Sequence, residues 1–236
     1  MSAPIIGVTA NLRRDEQGRF RHQVKNTYLS AIVRAGGVPL ILPAIAAQRE
    51  SLLHFVDGVL LTGGDDIDTR PFGAPLHAQA QIMEPDRQEA EFALLRALDA
   101  RREIPTLGIC LGMQLMGVHG GCGLLQHLHD HFENGDRHRF DNVHDVKSEL
   151  GAGPVASWHH QALESEGPFD AIGWSDDGIL EAIRDPSREF YVGVQWHPER
   201  TKDAKMGDGI VSMFVAAARA HRANKERAAR GRRGVR

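Results

Sequence analysis

Short apolar runs alternate with amphipathic stretches along the first half of the chain. Ile5–Thr9, Val38–Leu42, Val59–Thr62 and Ile104–Ile109 each predict a buried strand, because they are brief, apolar and bounded by polar or glycine positions. Between them lie helical patterns. Gln23–Ala35 puts Val24, Tyr28, Ala31, Ile32 and Ala35 on one stripe, and Gly36-Gly37 ends it. Ala46–Phe55 predicts a shorter helix. Asp86–Arg101 predicts a long one with Ala90, Ala93, Leu94, Ala97 and Leu98 facing inward, and Gly112–His119 follows the fourth strand directly. A polar loop with prolines runs from Asp65 to about Glu84. Strand-helix alternation of this kind implies an α/β fold with a mostly parallel sheet and helices on both faces. Sites in such sheets form at the carboxyl ends of strands. Gly63-Gly64 and Cys110 both fall at strand ends.

The second half reads as richer in strands: Val143–Val146, Ala171–Trp174, Ile179–Arg184 and Tyr191–Trp196, closed by a helix over Lys205–His221. We expect one domain over residues 1–222. The tail 223–236, basic and rich in Ala, Gly and Arg, is expected to be disordered.

Composition narrows the classes. The chain has 236 residues, 42% hydrophobic and 25% charged, as in an ordinary globular protein. A net charge of −3 gives no electrostatic case for nucleic acid or an anionic membrane. No run approaches the roughly 18 apolar residues of a membrane span, and the N-terminus has no signal-peptide pattern. Two cysteines, Cys110 and Cys122, make no disulfide framework. A reducing cytoplasm is the expected setting.

Chemistry concentrates at two separated stretches. Leu107-Gly108-Ile109-Cys110-Leu111-Gly112-Met113-Gln114 sets a cysteine where a buried strand turns into a helix. A thiol there meets the positive end of the helix dipole, which favours thiolate, and a sharp turn exposes it as a nucleophile elbow does. A buried, inert cysteine is the plain alternative. Gly193-Val194-Gln195-Trp196-His197-Pro198-Glu199 supplies the partners. His197 and Glu199, two apart on an extended chain, face the same side, so Glu199 can orient His197 as a base for Cys110. The N–H groups of Gly64 and Leu111 are candidates for an oxyanion hole. Cys122, in Gly120-Gly121-Cys122-Gly123, has no matching base and reads as structural. The histidines at 119, 127, 129, 131, 138 and 144 suggest a metal, but no recognised ligand spacing completes one. They read as solvated loop residues, and no metal or cofactor is expected.

Gly108-Ile109-Cys110-Leu111-Gly112-Met113-Gln114 and Gly193–Glu199 together resemble class I glutamine amidotransferase domains. The chain is most similar to the stand-alone γ-glutamyl-γ-aminobutyrate hydrolase family, through Ile6–Thr9, Ala35–Pro39, Asp57–Gly64, Asp86-Arg87 and Ser157–Ala162. The likeness runs from about Pro4 to His221. It implies a flavodoxin-like three-layer sandwich and a Cys110-His197-Glu199 triad, with Gly64 and Leu111 at the oxyanion positions. It also implies substrate contacts from Gln114, Trp158, His160 and Gln161. The implied reaction is hydrolysis of a small γ-glutamyl amide through a thioester, in a pathway such as polyamine catabolism. The alternatives are a glutaminase subunit feeding ammonia to a separate synthase, and a catalytically silent binding module. A homodimer is compatible with either. Two departures stand out: Leu111 follows the cysteine where many of these hydrolases have arginine, and Asp65 and Thr69 replace a glycine and a proline of their glycine-rich loop.

Overall fold

The computed structural model describes residues 2–233. In chain order its strands and helices begin with β1 (Ile5–Thr9), β2 (Asn11–Arg14), β3 (Phe20–Gln23), α1 (Asn26–Arg34) and β4 (Val38–Leu42). There follow α2 (Arg49–Leu52), β5 (Gly58–Leu61), α3 (Pro85–Asp99), β6 (Thr106–Ile109), α4 (Leu111–His119) and β7 (Leu124–Leu125). The second half contributes β8 (Asn142–Ser148), β9 (Gly151–Ser157), β10 (Ala162–Leu163), β11 (Asp170–Ser175), β12 (Leu180–Arg184), β13 (Tyr191–Val194) and α5 (Asp208–Arg233).

Nine strands form one sheet in the order β4-β1-β5-β6-β13-β12-β11-β8-β9. From β4 to β13 every neighbour is parallel; beyond β13 each pairing is antiparallel. Strands β8 and β12 therefore run against the other seven, and the sheet is mixed but mostly parallel. Helices cover both faces. On one, Tyr28 and Ile32 of α1 and Ile210, Phe214 and Ala218 of α5 pack with Ile6, Val8 and Ile109. On the other, Leu94, Leu95 and Leu98 of α3 and Met113, Leu115 and Met116 of α4 pack with Val59, Leu61 and Ile183. Full burial of side chains of this size stabilises by about 1.5–3 kcal/mol each, so the two apolar layers hold the helices to the sheet. No helix among the described residues is long and apolar enough to cross a membrane.

Four differences from the sequence reading have physical causes. The first helix starts at Asn26, because Gln23 ends β3 of an exposed hairpin with β2. The stretch Ala46–Phe55 breaks into a 3₁₀ turn at Ala46–Gln48, the single turn α2 and another 3₁₀ turn at Leu53–Phe55. The segment expected to be disordered continues α5 as far as Arg233; residues 234–236 lie outside the described residues. Asp57 anchors it, pairing with Arg222 at 3.0 Å and Lys225 at 3.1 Å. Lastly, His138 and His144 are not solvated: both are buried around Glu181. Half-buried His119 and His127 and exposed His129 and His131 stay nearer the expectation.

Candidate active site

Three adjacent parallel strands end side by side. In register, Leu61 of β5 lies opposite Gly108 of β6, and Ile109 opposite Val194 of β13. The segments leaving these ends carry Gly63-Gly64, Cys110 and His197. The sheet thus brings residues about 50 and 90 positions apart to one spot.

Cys110 caps α4 with φ 55° and ψ −108°, a conformation that ordinary residues rarely adopt. Such a residue costs of order 1–3 kcal/mol and persists only where its surroundings fix it. They do so here. The Cys110 N–H donates to Val194 O at 2.8 Å, and Cys110 O accepts from the Gln114 N–H at 3.1 Å. Gly112 allows the helix to sit this close, since a Cβ there would overlap the Leu61 carbonyl. The result is a strand-to-helix elbow with the thiol at the head of α4. The first N–H groups of a helix, here including that of Leu111, have no partner within the helix. The thiol lies 3.7 Å from the Trp158 carbonyl.

His197 and Glu199 meet as their spacing predicts. Glu199 Oε1 accepts from His197 Nδ1 at 2.9 Å, with both side chains buried. That bond engages Nδ1 and leaves Nε2 as the nitrogen available to a second partner. The His197 N–H is tied to Ala156 O at 2.9 Å, and its carbonyl accepts from Thr201 Oγ1 at 2.9 Å. Burial opposes the imidazolium, but the charges of Glu199 and Cys110 outweigh it and lift His197 to about 9. Burial likewise pushes Glu199 up, and the His197 charge brings it net below the usual carboxylate range. Each group makes the other's charged form more favourable.

The Gly63-Gly64 loop is held from behind by a residue to which the sequence reading gives no role in the site. Arg87, fully buried on α3, donates from Nη2 to Gly63 O at 3.2 Å and Thr62 Oγ1 at 3.3 Å. A Cβ on Gly64 would overlap this guanidinium. In a trans peptide, C=O and N–H point opposite ways, so holding the Gly63 carbonyl turns the Gly64 N–H away from Arg87. Tyr28 adds a second support, its hydroxyl accepting from the Gly63 N–H at 3.0 Å. Its phenol is pushed well up by burial and by the charges of Glu199 and Cys110, so it stays neutral. Arg87 stands in the Asp86-Arg87 signature, and Tyr28 in the first helix stripe; neither carries a sign of its place in the site.

Two cavities share Cys110, Gly64, Asp65 and Trp158. The smaller, about 130 Å³, is lined by Gln114, His160 and Gln161. Gln114 Nε2 donates to Gln161 O at 3.0 Å, and His160 is held by Asp66 at 3.0 Å. The larger, about 420 Å³, contains His197, Tyr28, Arg13, Lys25 and Arg200. Asp65, the departure in the glycine-rich loop, sits on both walls and pairs with Arg13 of β2 at 2.6 Å. The structure therefore gathers all nine sequence-predicted site residues at one place. Cys122 is remote, its thiol 3.4 Å from Glu166 O and pushed up by burial.

An α/β sandwich with a cysteine elbow at the centre of its sheet is the architecture of class I glutamine amidotransferases, and solved structures agree. A Thermoplasma acidophilum protein assigned to GMP synthase as one of its subunits superposes with a TM-score of 0.67 at 16% identity, covering 96% of this chain and 99% of that one. A glutamine amidotransferase of Thermotoga maritima gives 0.57 at 16% identity, covering 84% and 77%. The sequence pattern of the peptidase C26 family matches residues 4–199, and the chain belongs to that family. A Mycobacterium tuberculosis protein assigned to the glutamine amidotransferases is 34% identical over 222 residues, 86% of this chain and 71% of that protein. The γ-glutamyl-γ-aminobutyrate hydrolase PuuD of Escherichia coli K12 is 29% identical over 252 residues, 96% of this chain and 98% of that protein. The chain is thus a glutamine amidotransferase-like hydrolase.

Proposed function

We propose that the protein hydrolyses γ-glutamyl amides through a γ-glutamyl thioester on Cys110. The observation that carries this reading is the meeting of a strained Cys110 at the head of α4 with the His197–Glu199 pair, at the junction of two cavities. The Cys110 thiolate attacks the γ-carbonyl carbon. The oxyanion takes hydrogen bonds from the Gly64 and Leu111 N–H groups. His197 gives its proton to the amide nitrogen, the C–N bond breaks and the amine leaves. His197 then removes a proton from water, hydroxide attacks the thioester, and glutamate departs as the thiolate re-forms.

The two cavities support a reading of where the ends of the substrate go. The small one suits the glutamyl group, with Gln114 and the Trp158–Gln161 segment around its α-amino and α-carboxylate ends. The large one takes the amine, beside the acid His197. On its wall Arg13 is paired with Asp65 and Arg200 with Asp141, while Lys25 has no ion-pair partner among the described residues. That balance supports an amine with an anionic far end, such as γ-aminobutyrate.

The test is glutamate release by the purified protein from a panel: glutamine, γ-glutamyl-γ-aminobutyrate and γ-glutamyl amines with a cationic far end. We expect turnover without any partner and the highest kcat/KM for the carboxylate-ended amide. Glutamine turnover that requires an added synthase would indicate an ammonia-delivering subunit instead. No release from any substrate, with an iodoacetamide-inert Cys110, would indicate a binding module.

A further inference from the structure

Glu181 of β12 is fully buried, and three imidazoles close on its Oε1: His144 Nε2 at 3.2 Å, His138 Nδ1 at 3.4 Å and His159 Nε2 at 3.4 Å. They come from separate segments: a 3₁₀ turn at Gly135–His138, strand β8, the turn after β9, and β12. The hydrogen bonding around them is incomplete. His138 Nδ1, His144 Nε2, His159 Nε2 and both Glu181 oxygens are buried without a hydrogen-bond partner. Unpaired buried polar atoms are costly singly, and five around one point call for a shared partner.

The outer nitrogens show what is missing. His159 Nδ1 lies 2.9 Å from the Gln161 carbonyl, which can only accept, so Nδ1 carries the proton. Its Nε2 faces the Glu181 carboxylate without a hydrogen-bond partner. His138 has a similar arrangement: Nε2 lies 2.9 Å from Asp177 Oδ2, and Nδ1 faces Glu181. Metal-bound histidines characteristically give their outer N–H to a carboxylate or a backbone carbonyl. Both kinds of partner are present here, for His138 and His159; the outer Nδ1 of His144 has none.

The spacing agrees. Charge-assisted N–H···O⁻ bonds are usually about 2.7–2.9 Å, shorter than all three contacts. Ligand atoms about 2.0–2.1 Å from a tetrahedral ion stand about 3.3–3.4 Å from one another. His138, His144 and Glu181 each offer a ligand atom, and these atoms all lie within 4.8 Å of one another. His159 Nε2 is outside that closest group and must move inward to complete four-fold coordination.

The geometry points to a structural divalent-cation site, with His138 Nδ1, His144 Nε2 and Glu181 Oε1 as ligands and His159 Nε2 as the fourth. Three imidazoles and one carboxylate in a closed, buried tetrahedron suit zinc. Asp177 would offset the remaining positive charge. The site takes no part in the chemistry proposed above, although His159 lines the smaller cavity together with Cys110. It does hold the segment that borders the glutamyl cavity, since His159 follows Trp158 directly. The His159 N–H also donates to His138 O at 2.6 Å. This departs from the expectation of no metal.

The test uses tag-free full-length protein, stripped of metal by a chelator and titrated with zinc chloride, with bound metal counted by mass spectrometry. We expect one zinc per chain and a rise in Tm. Cobalt chloride should give the intense visible bands of a tetrahedral Co²⁺ centre. Asp177→Asn, which keeps all four ligands, should weaken zinc about 10- to 100-fold. His144→Ala should lose the stoichiometric ion, while His129→Ala, in the exposed stretch, should keep it. No zinc bound by wild-type protein at micromolar concentrations, or unchanged binding in both Asp177→Asn and His144→Ala, would overturn the assignment. A protonated His138–Glu181 ion pair would then remain as the account of the cluster. Because wild-type titration is itself decisive, a poorly folding His144→Ala does not block the test.

Discussion

Two buried places in this molecule set imidazole against carboxylate. At His197–Glu199 one ring meets one carboxylate at 2.9 Å, the pair comes from neighbouring positions of one strand end, and a thiol and a cavity lie beside it. At Glu181 three rings crowd one carboxylate at 3.2–3.4 Å, the members come from four segments, and five facing atoms lack hydrogen bonds. The first arrangement satisfies Nδ1 and leaves Nε2 to move protons. The second turns ring nitrogens and both carboxylate oxygens inward without hydrogen-bond partners. Chemical groups of the same type are thus arranged differently, and the difference lies in which nitrogens are already occupied.

The largest effect that would sharpen this contrast is at the nucleophile. Cys110→Ala or His197→Ala should lower kcat by about 10⁶-fold, as loss of a triad member does in the best-studied hydrolase, while the fold, read by circular dichroism, persists. Glu199→Gln should lower kcat by about 10⁴-fold, since the tautomer of His197 is no longer set. Arg87→Met should lower kcat about 100- to 1,000-fold with little change in KM, as for loss of an oxyanion donor. A change confined to KM would place Arg87 in binding alone.

The smallest effect is in pH dependence, and its sign follows from His197. Its value in the folded protein, about 9, stands above the ordinary imidazole value of 6.5. In the proposed mechanism the imidazolium protonates the leaving amine; it is present below about 9, so kcat/KM should fall as pH rises through that value. The same proton stabilises the fold: the contribution is full below about 6.5 and is lost as pH rises through about 9. Glu199→Gln should move the alkaline limb towards neutral pH. A limb unmoved by that substitution would show that Glu199 does not set the charge on His197.

Legibility in the sequence divides along similar lines. The parallel half is readable because its strands are short apolar runs and α1 and α3 keep an inward stripe. The Cys110 and His197-Pro198-Glu199 motifs are readable because their chemistry is local. The β2–β3 hairpin is not, since Arg13, Arg14 and all of β3 are exposed and show no apolar alternation. Strand β9 is hidden by Gly151, Gly153 and Pro154, residues that argue against a strand; it is tolerated because β9 is an edge, paired only to β8. The composition of the Ala- and Arg-rich tail suggests disorder, whereas both residues are good helix formers and Asp57 holds their segment. Arg87 and the Glu181 cluster depend on pairings between distant segments, which no local pattern announces.

The central claim is a γ-glutamyl thioester on Cys110. Rapid acid quenching during turnover of a γ-glutamyl amide by Glu199→Gln protein, slow enough to accumulate the intermediate, followed by peptide mass spectrometry, reads it directly. The account predicts a hydroxylamine-labile γ-glutamyl adduct on the peptide carrying Cys110 and none on that carrying Cys122. Glutamate release with no adduct on Cys110, or an adduct on Cys122 in its place, would contradict it.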